Sequence, residues 1–280
     1  MRRTCVLILL VLVLIGCSPE PESFEELMIA GKKAFIDEQY AEARGYLGRA
    51  VAEQPSDHDA LYYLGLSYSR DFLLDSAYFF LSRANVLYPQ EREINLELLT
   101  LARALKDNKS AIRAIRVLIA TGDPERQYYE TLASLYSREH NLPNAYHYVR
   151  LLLKSEPENI KWSIGVAMAA SNIDSVHISL RVLDSAIEKF GPLPELRSNR
   201  ATFLVAANKF AEAEQEMREL HAEDTTSIPY RINLANVLAT QDDQQKKEEA
   251  LGIYQSLLSL DLKDFKIDSL ISELEKELEP

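Results

Sequence analysis

Few residues of this 280-residue chain have side chains suited to chemistry, and their spacing does not favour it. The five histidines, His58, His140, His147, His177 and His221, form no close ligand pair on one helix face. His140 and His147 fall on either side of a turn expected at Pro143. A metal site needs ligands converging from fixed offsets, and no His-Glu-x-x-His run, paired cysteines or calcium-loop spacing occurs. A Gly-x-Ser-x-Gly elbow and a phosphate-cradling glycine loop are absent too. The chain is therefore expected to be no enzyme and to use no cofactor or metal. Trp162, the single tryptophan, is expected to pack in a core. That leaves Cys17, which closes a hydrophobic run near the start of the chain.

The segment before Cys17 explains its placement. Arg2 and Arg3 precede an unbroken apolar stretch, Val6 to Ile15. Ten apolar residues are half of the roughly 20 needed to cross a bilayer. They match instead the h-region of a secretory signal, about 7–15 residues long. Leu14-Ile15-Gly16-Cys17 then resembles the bacterial lipobox. That resemblance implies a signal peptide over residues 1–16, cleavage before Cys17, and acylation (palmitate or a similar chain) of the cysteine. Cys5 leaves with the signal, so the mature chain has no free thiol and no disulfide, although it enters an oxidising compartment. Several acyl chains on one residue hold stably to a membrane at roughly 0.8 kcal/mol per buried methylene. Residues 17–23, polar and proline-bearing, read as a lipidated tether. Ser18 stands where an Asp would resemble an inner-membrane retention signal, so the expected location is the outer membrane, facing the periplasm.

The whole sequence carries a formal charge of −12; without its first sixteen residues it has 29 basic and 43 acidic residues, a charge of −14. Such a chain repels phosphate backbones, and nucleic-acid partners are not expected.

From Phe24 onward the sequence repeats. Ala43, Ala77, Ala111 and Ala145 are spaced by 34 residues, as are Leu47, Leu81, Ile115, Val149, Leu183 and Met217. Gly31 and Gly65 keep the same step, as do Pro55 and Pro89. A fixed period of this length is the signature of a helical solenoid. Small residues let the two antiparallel helices of a unit approach, large ones at helical spacing fill the space between units, and proline ends the second helix.

This pattern resembles the tetratricopeptide-repeat (TPR) family, whose unit places small residues at positions 8 and 20, apolar ones at 4, 7 and 24, an aromatic at 11 and proline at 32. The second frame fits with Leu61, Leu64, Gly65, Tyr68, Ala77, Leu81, Ala84 and Pro89, and the fourth with Tyr129, Leu132, Ala133, Tyr136, Ala145, Val149, Leu152 and Pro157. The resemblance implies an all-α TPR solenoid, a right-handed superhelix of antiparallel helix pairs, with seven repeats over 24–263. Later frames depart from the pattern: Leu99 and Ser179 replace small residues, Gly191 replaces Pro, and Arg200 occupies an apolar position. In the seventh frame Ala250 arrives three residues late, after a polar run from Gln241 to Glu249 that is expected to lengthen the turn. Ile267, Leu270, Ile271, Leu274 and Leu278 then form one amphipathic stripe, read as a capping helix within 264–280.

In the TPR family the first helix of each unit lines a concave groove through positions 2, 5, 9, 12 and 13. Carried over, these positions give an apolar lining of Met28, Tyr62, Leu66, Leu96, Ile164 and Met168. Arg70, Arg103 and Arg138 fall at 13, 12 and 13 of successive units and suggest an electropositive track for acidic or extended partner segments. The alternative for these arginines is pairing with acids such as Asp71 and Glu139. The family's Lys/Asn carboxylate clamp is absent. The function expected is thus a membrane-anchored scaffold or adaptor for an envelope assembly or secretion machine, with protein partners and a membrane contact through Cys17. The alternative is an accessory protein binding a lipid or glycan in the apolar groove.

Overall fold

The computed structural model describes residues 23–122, 124–258, 260 and 266–278. The segment expected to be a signal peptide, Cys17, the expected tether up to Glu22 and the boundary expected at 263/264 lie outside the described residues. Those described form fifteen helices and no strand. Seven antiparallel pairs come first: α1 (Phe24–Ile36) with α2 (Tyr40–Glu53), α3 (His58–Arg70) with α4 (Leu74–Leu87), and α5 (Arg92–Ala104) with α6 (Asn108–Ala120). Next are α7 (Arg126–Arg138) with α8 (Leu142–Ser155), and α9 (Ile160–Ser171) with α10 (Val176–Phe190). The last pairs are α11 (Pro194–Ala206) with α12 (Phe210–Glu223) and α13 (Ile228–Ala239) with α14 (Gln244–Leu257), followed by α15 (Ile267–Leu278). The first helices start at Phe24, His58, Arg92, Arg126, Ile160, Pro194 and Ile228, so the 34-residue frame survives intact in three dimensions. This is the TPR architecture. The chain divides into two compact units, one through Asp123 holding α1–α6 and one from Pro124 holding α7–α15, and each is described by itself.

The repeat works because its small residues let the helices touch. A Cβ at Gly31 would sit 2.6 Å from Leu47 Cγ, and one at Gly65 would sit 2.6 Å from Leu81 Cγ. Position 8 of the first helix therefore meets position 24 of the second with no room for a methyl group. Where the sequence departs from the pattern, local chemistry compensates. Buried Ser179 donates to the Ala167 carbonyl at 2.6 Å, and buried Asn95 donates to the Pro89 and Glu91 carbonyls. Gly191 ends α10 at φ 86°, in place of the usual proline.

Several helix starts carry side-chain caps. Ser23 and Glu26 form a reciprocal capping box on α1, and Asp57 accepts from Ala60 N at 2.8 Å to open α3. Helix ends hold a feature the sequence conceals. Glu38, Phe72, Lys106, His140, Asp174 and Asn208, one per repeat and 34 apart, all adopt φ of 54–60°. Each is followed by an amide that reaches back to close the helix, as Leu73 N does to Tyr68 O at 3.0 Å and Asn141 N to Tyr136 O at 2.8 Å. This is the Schellman ending, whose left-handed residue is usually glycine. None of the six is glycine. Phe72 fits worst, being aromatic and 84% exposed, so it carries the left-handed cost with little burial in return. Phe72→Gly is expected to stabilise the first unit by about 1 kcal/mol, read as a higher urea midpoint in far-UV circular dichroism.

The seventh repeat corrects one expectation. The polar run does not lengthen the turn by three residues: α14 begins at Gln244, 34 residues after the start of α12 at Phe210. The late alanine reflects a shifted packing stripe instead. Ala250, Tyr254 and Leu257 are the buried face of α14, while Lys247 ion-pairs with Glu277 of α15 at 2.9 Å. No left-handed residue closes α13 among the described residues. Gln241 is buried there, donating to Glu214 and accepting from Lys246. Beyond it, Ile267, Ile271 and Leu274 of α15 join the core cluster that contains Tyr254 and Leu257. The expected cap is in place.

Candidate functional site

In the first unit α1, α3 and α5 lie side by side, so their exposed faces form one surface. Of the predicted lining, Tyr62 and Leu96 are half-buried on that surface, whereas Met28 and Leu66 are buried and act mainly as packing. Tyr62 stacks on His58 with ring centroids 6.0 Å apart. Burial raises the Tyr62 hydroxyl above its usual range, and the nearby Glu97 and Glu93 carboxylates add to the rise.

The arginine track is changed by its partners. Arg70 directs both fork nitrogens at Glu97, at 3.0 and 3.4 Å. That pairing is the main cause of its raised pKa. Asp71, the acid expected beside it, is held instead by Arg44, which also bonds the Ser67 carbonyl at 3.1 Å. Arg70 is therefore engaged within the fold and does not present an open fork to a partner. Arg103 is exposed on α5, and Arg138 is exposed on α7 in the second unit. Two of the second unit's predicted lining residues also divide. Ile164 is buried in a core cluster with Leu183, Leu196 and Phe203, while Met168 is 54% exposed.

Sequence reasoning missed one concavity. A cleft of about 730 Å³ lies at the start of the first unit, between α1, the α2–α3 loop and Tyr88. Its apolar wall comprises Phe24, Met28, Ile29, Pro55 and Tyr88, with Ile29 71% exposed. Its polar wall comprises Glu25, Lys32, Asp57, His58 and Asp59. Lys32 pairs with Asp59 and sits 4.9 Å above the Tyr63 ring. The Lys32 hydrogen bond, with a further one from His58, holds the Asp59 carboxyl below its usual value against the opposing effect of burial. His58 Nδ1 lies 2.9 Å from Asp59 Oδ1, and its Nε2 lies 2.8 Å from Glu91 Oε2 but out of hydrogen-bonding alignment. The Tyr88 ring meets the imidazole edge-on at 4.5 Å. One signal for this site was present in the sequence: Glu25, Asp59 and Glu93 place an acid at position 2 of three consecutive frames.

The second unit gathers charge on its helices. Arg197, buried on α11 at an apolar repeat position, meets Glu219 and Glu223 at 2.7 Å and Glu216 at 3.5 Å, all on α12. Arg200 bridges Asp184 of α10 at 2.7 Å and Glu216 at 2.9 Å, so the doubtful packing at this position is bound by ion pairs. A second network joins Glu214, Arg218, Lys246, Gln241 and Glu249 across α12 and α14. Burial pushes the Glu214 carboxyl up, but hydrogen bonds from Lys246, Gln241 and Arg218 outweigh it and hold the group at about 2. A cavity between α11 and α13, lined by Thr202, Val205, Asn233 and Asn236, measures about 120 Å³. Ligand pockets usually span about 300–1,000 Å³, so this one is too small for a sugar or acyl chain.

No protein-family model matches the chain, and no curated protein matches it. Among solved structures, that of Naa15/Naa10 bound to HypK-THB superposes with a TM-score of 0.60 at 16% identity, covering 90% of this chain and 39% of that one. This chain thus spans well under half of that protein's length. A tetratricopeptide repeat protein from Parabacteroides merdae matches over 90% of this chain and 98% of its own, at 17% identity and a TM-score of 0.48. The first likeness shows the fold alone, which agrees with the helix pairs described above.

Proposed function

We propose that this chain is a lipid-anchored scaffold that binds segments of other proteins on the inner face of its repeats, in the bacterial envelope and without catalysis. The observation that carries this reading is the inner surface of the first unit. There Ile29, Tyr62 and Leu96 stay wholly or partly exposed beside a 730 Å³ cleft, although a self-contained fold gains nothing by leaving them open. The superposition on the Naa15/Naa10 structure supports the reading only through the fold. The anchor rests on Leu14-Ile15-Gly16-Cys17, and an adaptor role for an envelope assembly or secretion machine follows from combining anchor and surface. A second reading, a lipid or glycan ligand, is favoured by the cleft volume, which lies within the range of small-molecule sites.

One experiment with two arms tests the proposal. A photo-crosslinking amino acid placed at Tyr62 or Leu96 in the native host is expected to give a discrete protein adduct in the membrane fraction. The same probe at exposed Arg49, on α2, is expected to give none. Cys17→Ala should leave the adduct-forming protein as an uncut precursor or shift it out of that fraction. Absence of any protein adduct at either inner position would remove the scaffold reading, and a small molecule in native mass spectra would then favour the second.

A further inference from the structure

We infer that the cleft at the start of the first unit accepts a basic, apolar-flanked peptide segment, the opposite charge preference to the one suggested by the arginine row. The inference rests on the reading of this inner face as a protein-binding surface and specifies the chemistry of what it takes.

The charge of the lining decides the preference. Among the described residues, Glu25, Asp57 and Asp59 supply three carboxylates to the lining and Lys32 is its only Lys or Arg. Lys32 is already committed to Asp59. Glu91 lies just behind, against His58. Asp57 spends one oxygen on the α3 cap, while Glu25 has no ion pair among the described residues. An incoming carboxylate would meet acids with no uncommitted cation, whereas an incoming guanidinium or ammonium finds Glu25 and Asp57 at the mouth. Acids in the first turn favour their own helices, which accounts for Glu25 and Asp59 being tolerated there. It does not account for Phe24, Met28, Ile29, Pro55 and Tyr88 framing them on an open wall.

The apolar wall sets the rest of the partner. Ile29 is largely exposed, and Tyr88 and Pro55 are exposed as well. Covering such groups returns roughly 25 cal/mol per Å², so aliphatic or aromatic residues on either side of the basic one are needed to use them. Tyr88 also offers a ring on which a guanidinium can rest. Arg70, a nearby cation of the same inner face, does not compete for the cleft's carboxylates because Glu97 occupies its fork.

The test uses the detergent-solubilised full-length chain and two fluorescein-labelled hexapeptides, one alternating leucine with arginine and the other leucine with glutamate. The arginine peptide is expected to bind saturably, with an affinity that falls as salt is raised, and the glutamate peptide roughly tenfold or more weakly. Glu25→Lys should weaken the arginine peptide by roughly tenfold, Glu25→Gln by less, and Ile29→Ser by several-fold. Both positions are on the surface, and unchanged circular dichroism confirms that the variants fold. Equal binding of the two peptides, binding of neither, or indifference to Glu25→Lys overturns the inference. Those outcomes leave the crosslinks at Tyr62 and Leu96 untouched, so failure of the cleft is distinguishable from failure of the scaffold.

Discussion

Replacing Arg197 and Arg200 together by leucine is expected to cost the second unit about 3–5 kcal/mol, even though it restores the repeat's apolar pattern at both positions. Glu216 is the reason. Its side chain is only 12% exposed, and these two arginines are its partners, at 3.5 and 2.9 Å. Removing both leaves a largely desolvated carboxylate without a cation, and also strips Asp184, Glu219 and Glu223 of theirs. Trp162, buried in this unit with its indole N–H bonded to Glu156 at 3.0 Å, reports the loss by fluorescence. The urea midpoint should fall by roughly 2 M for a unit of this size. Adding Glu216→Leu should then recover more than half of the loss, because an apolar replacement of a whole ion cluster is often neutral. A double variant as stable as the parent, or a triple no better than the double, would show that the cluster does not hold α11 to its neighbours.

Gly65→Val is the second large effect, expected to destabilise the first unit by about 3 kcal/mol. Its Cβ would lie 2.6 Å from Leu81 Cγ, 3.0 Å from Leu81 Cδ2 and 3.2 Å from the Leu81 backbone nitrogen. The side chain could turn aside, but the backbone of α4 can yield only by moving the helix. A helix gains roughly 1 kcal/mol from replacing glycine by alanine, so Gly65→Ala is opposed by a smaller net cost than valine. The check is a double-mutant cycle with Leu81→Ala, followed by circular dichroism. Relief of the overlap should appear as a favourable coupling of about 1–2 kcal/mol. Additive losses would mean the two residues are not in the contact described.

Much of this fold could be read along the chain, because a repeat prints the same physical requirement many times. The start of each first helix follows from one period of 34 and the capping role of α15 from its own amphipathic stripe, whereas the contact of position 8 with position 24 inside a unit appeared only in the packing. The left-handed helix ends could not be read that way. Glu38, Phe72, Lys106, His140, Asp174 and Asn208 share a conformation but no residue type, since the backbone bonds that follow stabilise it whatever the side chain. In the seventh repeat, the register of Ala250 suggested a longer turn. The structure keeps the helix start and moves the buried face instead, because a helix can change which side it packs without changing where it begins.

The site divides in the same way. The resemblance to the repeat family supplied the inward repeat positions; of the residues there, Tyr62 and Leu96 are half-buried and Arg103 and Met168 exposed, whereas Met28, Leu66 and Ile164 are buried in packing. Only the tertiary structure decided which charges remain to meet a partner. Lys32 with Asp59, Arg44 with Asp71 and Arg70 with Glu97 are each 27 residues apart, one repeat less two helical turns. A charge has no preferred sequence neighbour: its partner is whichever opposite group the packing of adjacent helices brings within about 4 Å, and that distance is set by the fold as a whole. The period therefore ordered the repeat positions, and the packing gave the cleft of the first unit an acidic rather than a basic lining.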